Sequence, residues 1–225
     1  MQEKSVAIDG PAGAGKSTLA KALAARLGFL YVDTGAIYRT VGLFVARSGG
    51  DCGDKAQVLA RLPEIRIAMT YGEDGLQHML LNGEDVTKAI RENAVSGYAS
   101  LVSAYPEVRA FLLDMQRELA RTHNVIMDGR DIGTVVLPGA DVKVFLTASP
   151  EERAKRRCRE LEQRGQPVDY RQLLEEITQR DYADSHRAAA PLKQAEDAVL
   201  ADTSELDFEQ SFQLLRSIIR EKAGV

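Results

Sequence analysis

The chain has 225 residues, of which 44% are hydrophobic and 28% are charged, and its formal net charge is −4. This mixture suffices for the core of one α/β domain and excludes a disordered chain, a fibre and a small disulfide scaffold. The apolar runs are far shorter than the ~20 residues of a membrane span, and the acidic balance disfavours nucleic acid, so we expect neither partner.

The sequence shows no feature of an exported protein. Residues 1–4 lead into an apolar strand without the basic, apolar and cleavage regions of a signal peptide. Cys52 and Cys158 have no metal-binding spacing and fit a reducing compartment. We therefore expect a cytoplasmic protein. Because no apolar stripe is left over after the core is assigned, we also expect a monomer.

Apolar strands alternate with helical segments along most of the chain. The predicted strands are residues 6–8, 30–32, 125–127, 142–146 and 198–200. The helical patterns include Leu19, Leu23 and Leu27, the segment 36–47, and a last stripe of Phe208, Phe212, Leu215 and Ile219. This order predicts an α/β fold with a doubly wound, parallel five-stranded sheet and helices on both faces.

One segment, residues ~60–90, departs from this alternation. Ile65, Ile67 and Met69 alternate with polar residues, residues 71–75 are rich in turn formers, and an apolar run resumes at 76–81. A period of two on both sides of a turn is typical of a β-hairpin. The sequence therefore predicts a small antiparallel insert.

A glycine-rich loop joins the first strand to the first helix and satisfies the phosphate-loop pattern G-x-x-x-x-G-K-[ST]. Its residues are Gly10, Pro11, Ala12, Gly13, Ala14, Gly15, Lys16, Ser17 and Thr18. The backbone N–H groups of such a loop face a phosphate, Lys16 can reach the β- and γ-phosphates, and Ser17 can coordinate Mg²⁺. We therefore predict binding of a nucleoside triphosphate. A switch GTPase is improbable because the N-K-x-D signature is absent.

Charged residues follow the second and third strands. Asp33 and Arg39 bracket the start of a helix, and Asp128, Arg130 and Asp131 follow residues 125–127. Ligands of open α/β sheets bind outside the carboxyl ends of the strands, so both clusters face the same crevice as the phosphate loop. We expect Arg130 to bind a phosphate and a neighbouring carboxylate to meet Mg²⁺ or a base amine; a purely local ion pair is the alternative.

Two helices rich in arginine precede the last strand. The first spans residues 151–164, a breaker follows at 163–167, and the second runs to about residue 184. The pair predicts a helical lid over the triphosphate. Arg180, Asp184 and Arg187 share one face of the second helix, where the arginines can meet phosphoryl oxygens and the aspartate a ribose hydroxyl. Solvated ion pairs are the alternative.

Taken in order, these blocks resemble the bacterial cytidylate kinases. The blocks are residues 8–16, 33–39, 128–131 and 180–192, and the similarity runs essentially end to end, including the hairpin insert. The resemblance implies that ATP, with Mg²⁺, phosphorylates CMP and dCMP in pyrimidine nucleotide metabolism. It also implies one nucleoside monophosphate kinase domain with a core (1–35, 100–150, 190–225), a monophosphate-binding part (36–99) and a lid with its adjoining helix (151–189).

The resemblance also implies roles for individual residues. The charges at the transferring phosphoryl group are Lys16, Arg130, Arg180 and Arg187, and Arg39, Arg130 and Arg180 hold the CMP phosphate. Thr34 and Asp184 lie at the ribose, and the cytosine residues are Ser100, Arg109 and Asp128, with Asp131 nearby. Asp33 belongs to the CMP-binding residues as well. The lid residues at the ATP phosphates are Arg157 and Arg159. Thr34 stands where the family commonly has serine and keeps the hydroxyl.

Base selection has a physical rationale. A buried carboxylate accepts from the exocyclic amine of cytosine and repels the carbonyl of uracil, a difference of about 1–3 kcal/mol. Two other functions stay open at this point. One is a small-molecule kinase with AMP, UMP or shikimate as the acceptor, and the other is an ATP-binding regulator without an acceptor.

Overall fold

The computed structural model describes residues 3–72, 77–163 and 165–224. The strands are Ser5–Asp9 (β1), Leu30–Asp33 (β2), Ile67–Tyr71 (β3), Gln77–Leu81 (β4), Glu84–Asp85 (β5), Val125–Gly129 (β6), Val142–Thr147 (β7) and Val199–Asp202 (β8). The helices are Lys16–Leu27 (α1), Thr34–Arg47 (α2), Lys55–Arg61 (α3), Asn93–Val102 (α4), Pro106–Thr122 (α5), Pro150–Gln163 (α6), Tyr170–His186 (α7) and Phe208–Ala223 (α8). A single π-helical turn spans Ile132–Val136.

The predicted parallel sheet is confirmed. Within the described residues it has five strands in the order β2-β6-β1-β7-β8, and all neighbouring pairs are parallel. The phosphate loop leaves the central strand β1, and the segment 128–131 leaves its neighbour β6. The last strand begins one residue later than predicted and extends to Asp202.

The sheet is covered on both faces, because apolar side chains of its central strands are buried on each side. Leu19 and Leu23 of α1 pack with Leu215 and Ile219 of α8 against one face, so most of the predicted helix stripes is confirmed. Phe208, predicted as the first residue of the last stripe, is exposed instead, because it lies in the first turn of α8 beyond the packed face. The other face packs against α5 and the π-helical turn. Each fully buried aliphatic side chain contributes about 1.5–3 kcal/mol, so this core fixes the edge of the sheet from which the functional loops emerge.

A second hydrophobic core is formed mainly by the segment between β2 and α5. It joins α2 to α4 and to the antiparallel insert, which the structure shows as three strands, β3-β4-β5, rather than a simple hairpin. Residues 73–76 of the predicted turn and apolar run lie outside the described residues. The side chain of Gln77 in β4 accepts a hydrogen bond from the backbone N–H of Asp33 (2.8 Å), which ties the insert to the end of β2.

The two arginine-rich helices are present as α6 and α7. Arg164, in the predicted end of the first helix and its breaker, lies outside the described residues. The second helix continues past residue 184 to His186, so Arg187 follows it in extended backbone rather than in a helical turn. The sequence analysis did not anticipate α4 and α5, which separate the insert from β6. None of the helices described is long and apolar enough to cross a bilayer.

Candidate active site

The phosphate loop has a backbone that only glycine adopts easily. Gly13 and Gly15 have φ angles of +77° and +89°. A Cβ atom on Gly10 would lie 1.9 Å from the carbonyl oxygen of Leu146, because β1 exits directly against β7. The glycines therefore let the loop curl closely over the ends of these strands, with the N-terminus of α1 directed into its concave side.

Lys16 is held inside the loop. It is 5% exposed, and its Nζ donates to the carbonyl oxygen of Pro11 (2.7 Å). Burial, with the nearby charge of Arg130 as a smaller cause, lowers the pKa of Lys16 to about 7. A phosphate in the loop would favour the charged ammonium, so ligand binding and protonation of this lysine reinforce each other.

Asp128 joins the end of β6 to the phosphate loop. Its carboxylate accepts from the hydroxyl of Ser17 (2.9 Å) and from the phenol of Tyr31 (2.8 Å). Burial raises the pKa of Asp128 to about 6, and Asp33 adds to this effect. A hydroxyl and a carboxylate oxygen are ligands of the kind Mg²⁺ prefers, so the donor set fits the predicted metal.

Asp9 is a buried carboxylate that the sequence analysis did not assign. It accepts from the backbone N–H groups of Ile132 (2.8 Å) and Gly133 (2.7 Å), at the start of the π-helical turn. Burial raises the pKa of Asp9 to about 6. Because Asp9 directly precedes the phosphate loop, these bonds fix the segment 128–131 relative to that loop.

A group of arginines lies beside the phosphate loop with too few carboxylates to neutralise it. The Nε of Arg130 donates to Asp184 (2.9 Å), and a guanidinium nitrogen of Arg187 lies 3.9 Å from the same carboxylate. Burial lowers the pKa of Arg180, and the positive charges of Arg130 and Arg39 lower it further. These like charges are close enough to repel one another, which is an arrangement typical of an anion-binding site.

The unsatisfied donors of the site point to the same conclusion. Within the described ranges, five buried side-chain polar atoms lack a hydrogen-bond partner, and three of them are guanidinium nitrogens of Arg39, Arg180 and Arg187. Buried polar atoms without partners are rare in native proteins. Donors of this kind can form charge-assisted hydrogen bonds with the oxygens of an anionic ligand.

A second cluster lies next to these arginines. Arg109 forms an ion pair with Asp131, and its guanidinium lies 5.4 Å from the ring centroid of Tyr38. Arg109 also donates to the carbonyl oxygen of Ser103 (3.1 Å), whose hydroxyl lies 3.4 Å from Arg187. The cluster combines an aromatic face, a buried carboxylate and a guanidinium, which are the groups that recognise a nucleobase.

The comparisons with known proteins agree with this geometry. A family model described as cytidylate kinase matches residues 6–221. The chain belongs to the cytidylate kinase family. A cytidylate kinase from Caldicellulosiruptor bescii is 52% identical over 215 residues, 95% of this chain and 94% of the relative. One from Bacillus licheniformis is 46% identical over 218 residues, 97% of this chain and 96% of the relative.

A solved structure with much lower identity shares the fold. An uncharacterised protein from Eubacterium ventriosum superposes with a TM-score of 0.54 at 12% identity, covering 96% of this chain and 98% of that chain. The resemblance to the cytidylate kinases inferred from the four sequence blocks is confirmed at the level of the family by the family model and the curated relatives.

Most residues predicted at the acceptor site lie in or beside the two clusters. Asp33 caps α2 by accepting from Ala36 N (2.9 Å) and forms an ion pair with Arg39 (2.7 Å). Thr34 donates its hydroxyl to the carbonyl oxygen of Asp128 (2.7 Å). Asp131, rather than Asp128, contacts Arg109. The carboxylate of Asp128 accepts from Ser17 and Tyr31, and its role at the cytosine stays a prediction.

For three other predicted residues, the described side-chain hydrogen bonds do not reach these clusters. Ser100 contacts Ser103 through its carbonyl oxygen, which accepts from the Ser103 hydroxyl (3.0 Å). Ser100 is half-buried in α4, and its neighbour Ser103 makes the contacts with the arginines. In the lid, Arg157 pairs with Glu160 (2.7 Å) and Arg159 is exposed. Their predicted role at the ATP phosphates stays a prediction. The lid arginine that contacts the phosphate loop directly is Arg153, which donates to the carbonyl oxygen of Ala12 (3.0 Å).

Proposed function

We propose that the chain transfers the γ-phosphoryl group of ATP to the phosphate of CMP or dCMP, giving ADP and CDP or dCDP. The observation that carries this proposal is the group of unpaired guanidinium N–H donors beside the phosphate loop. A phosphate monoester is the acceptor that such a group binds best, because its oxygens can accept several charge-assisted hydrogen bonds at once. The family to which the chain belongs supports CMP as the acceptor.

The chemistry requires positioning and charge stabilisation more than proton transfer. The attacking oxygen belongs to a phosphate that is already anionic, so no general base is needed. Lys16 would leave the carbonyl oxygen of Pro11 for the β- and γ-phosphates of ATP. Arg130 and Arg180 would hold the acceptor phosphate, and Arg187 would stabilise the equatorial oxygens of the transferring group.

The magnesium of the ATP complex would be held at Ser17 and Asp128. Their side-chain oxygens lie 2.9 Å apart, and Tyr31 orients the carboxylate by donating to its other oxygen. When bound, Mg²⁺ neutralises charge on the phosphate oxygens. The low exposure of Asp128, 4%, keeps water from competing for its carboxylate.

The base is proposed to bind at Asp131 and Arg109, beneath Tyr38. The carboxylate of Asp131 would accept from the exocyclic amine of cytosine, and Arg109 would donate to the ring carbonyl. Asp184 would turn part of its carboxylate from Arg130 to a ribose hydroxyl, with Thr34 beside it. A closed lid over both nucleotides, a cytoplasmic location, a monomeric state and a role in pyrimidine nucleotide metabolism belong to the same proposal.

The direct test is ADP release from ATP·Mg²⁺ with CMP, dCMP, UMP, AMP, shikimate and no acceptor, measured side by side. We expect strong turnover with CMP and dCMP and little with the others. Turnover with another acceptor would contradict the proposed base pocket but would still show a kinase. ATP binding without turnover for any acceptor would leave only a nucleotide-binding regulator.

A substitution separates the acceptor role of Arg130 from the donor site. Arg130→Ala should lower kcat/KM for CMP at least tenfold, about 1.4 kcal/mol, because a charge-assisted contact to the acceptor phosphate is lost. The affinity for ATP, measured by calorimetry, should change little. An equal loss of ATP affinity would show that Arg130 serves the donor instead.

A further inference from the structure

Arg153 is the most constrained arginine of the lid. Its side chain is 3% exposed although it carries a full charge at the start of α6. Its Nε donates to the carbonyl oxygen of Ala148 (2.9 Å), and its Nη1 donates to the carbonyl oxygen of Ala12 in the phosphate loop (3.0 Å). The would-be Cβ of Gly13 lies 3.3 Å from the Cβ of Arg153. The phosphate loop therefore packs directly against Arg153.

The other partner of Arg153 lies in α7. Both terminal nitrogens of the guanidinium donate to the carboxylate of Asp181, at 3.0 and 2.5 Å. Asp181 directly follows Arg180 and precedes Asp184 by less than one helical turn. A bidentate arginine–carboxylate pair fixes orientation as well as distance. The position of α7, and with it the acceptor residues on that helix, is thus tied to the phosphate loop.

We propose that Arg153 is a positioning residue that couples the donor site to the acceptor site through its ion pair with Asp181. The inference rests on the proposed transfer from ATP to CMP. When the donor phosphates occupy the loop, Lys16 must leave Pro11, the residue before Ala12. Arg153 holds Ala12 and Asp181 through the same guanidinium, so a shift of the loop changes the position of α7. Occupancy of the loop by ATP then favours the arrangement of Arg180 and Asp184 that binds CMP.

The shape of the side chain is part of the argument. Nη1 of Arg153 donates to the carbonyl oxygen of Ala12 and to one carboxylate oxygen of Asp181. Nη2 donates to the other carboxylate oxygen of Asp181. A lysine ammonium carries the same charge but lacks the planar fork that makes these three contacts together. Arg153→Lys therefore keeps the charge beside the phosphate loop and breaks the connection, together with the hydrogen bond from Nε to Ala148 within α6 and its preceding turn.

The test measures the affinity for CMP by calorimetry with the donor site empty and with it filled by a non-hydrolysable ATP analogue and Mg²⁺. The variants are Arg153→Lys, Asp181→Asn and the double variant. Asp141→Asn is the matched control, because the carboxylate of Asp141 has a similar exposure, 29% compared with 25% for Asp181. Asp141 pairs with Lys4 at the amino ends of β7 and β1, at the opposite end of the strands from the phosphate loop. Thermal unfolding and acceptor-dependent turnover are recorded for every variant.

In the wild-type protein we expect the analogue to tighten CMP binding about fivefold or more, a typical coupling between two sites. In Arg153→Lys and Asp181→Asn this factor should fall below about two, while the affinity for CMP with the donor site empty stays within about twofold. The double variant should behave like each single variant because both remove one connection. Asp141→Asn should retain the wild-type factor.

Three results would overturn the inference. The first is a wild-type protein in which the analogue leaves the affinity for CMP unchanged. The second is a pair of single variants that keep the wild-type factor. The third is an equal loss of CMP affinity with the donor site empty and filled, which indicates general damage to the acceptor site. Failure of the wild-type protein to phosphorylate CMP would instead overturn the proposed function.

Discussion

Replacing Lys16 with methionine should lower kcat for CMP phosphorylation about a thousandfold, or about 4 kcal/mol of transition-state stabilisation. Methionine keeps the length of the side chain and the apolar stem that packs in the loop, so the fold of the loop is retained. The ammonium is the part that is lost. It is buried and preorganised by Pro11 and the neighbouring carboxylates, and in such surroundings a charge stabilises the transferring phosphoryl group strongly.

The measurement is single-turnover formation of CDP, with ATP affinity determined separately. Lys21→Met is the matched control, because Lys21 lies on the same helix and its Nζ is 5.6 Å from the ring centroid of Tyr31 rather than in the phosphate loop. The control should stay within about threefold of wild type. A Lys16→Met enzyme that retains more than about a tenth of the wild-type kcat would contradict the role of this lysine in the chemical step.

The phosphate loop and the sheet could be predicted from the sequence because their signals are local. The loop pattern fixes Lys16 and Ser17 within nine consecutive residues, and each strand is a short apolar run. The rule that ligands bind at the carboxyl ends of parallel strands then brought residues 128–131 to the loop. The parallel strand order β2-β6-β1 confirms that adjacency.

The contacts that order the site could not be predicted from the sequence, because they join residues that are far apart in the chain. Asp9 and Ile132 are 123 positions apart, and Asp9 looks in the sequence like any polar residue at the end of a strand. Tyr31 reaches Asp128 only because β2 and β6 are neighbours. Arg153 has no distinguishing spacing among the arginines of α6, and only its burial against the loop separates it from Arg159.

The different contacts of Asp128 and Asp131 could not be predicted from the sequence for the same reason. Asp128 and Asp131 are equivalent in the sequence, since each flanks Arg130 within three positions. In the structure the strand continues to residue 129, so the side chain of Asp128 is directed by the pleat of β6 toward Ser17. Asp131 lies beyond the strand and turns toward Arg109. The strand end, which differs by only two residues from the predicted one, therefore separates the contacts of the two carboxylates: Asp128 meets the phosphate loop and Asp131 meets Arg109.

Arg180 is expected to be important for activity but not for stability. Arg180→Met should lower kcat/KM for CMP about a hundredfold, or about 2.7 kcal/mol, because a buried charge on the acceptor phosphate is lost. The same substitution should leave the temperature of unfolding unchanged or raise it. In the free protein the guanidinium is desolvated and repelled by Arg130 and Arg39, and its Nε donates to no partner. Removing such a group relieves an unfavourable interaction.

The two effects separate a binding role from a structural one. Thermal unfolding without ligand and steady-state kinetics with varied CMP are measured on Arg180→Met and on Arg171→Met, an exposed arginine in the first turn of the same helix. The control should match wild type in both measurements. If Arg180→Met instead unfolded several degrees lower and lost activity in proportion, the arginine would be part of the packing of α7. A stable but weakly active variant shows that the repulsion among these arginines is a cost in the free protein that the acceptor phosphate removes on binding.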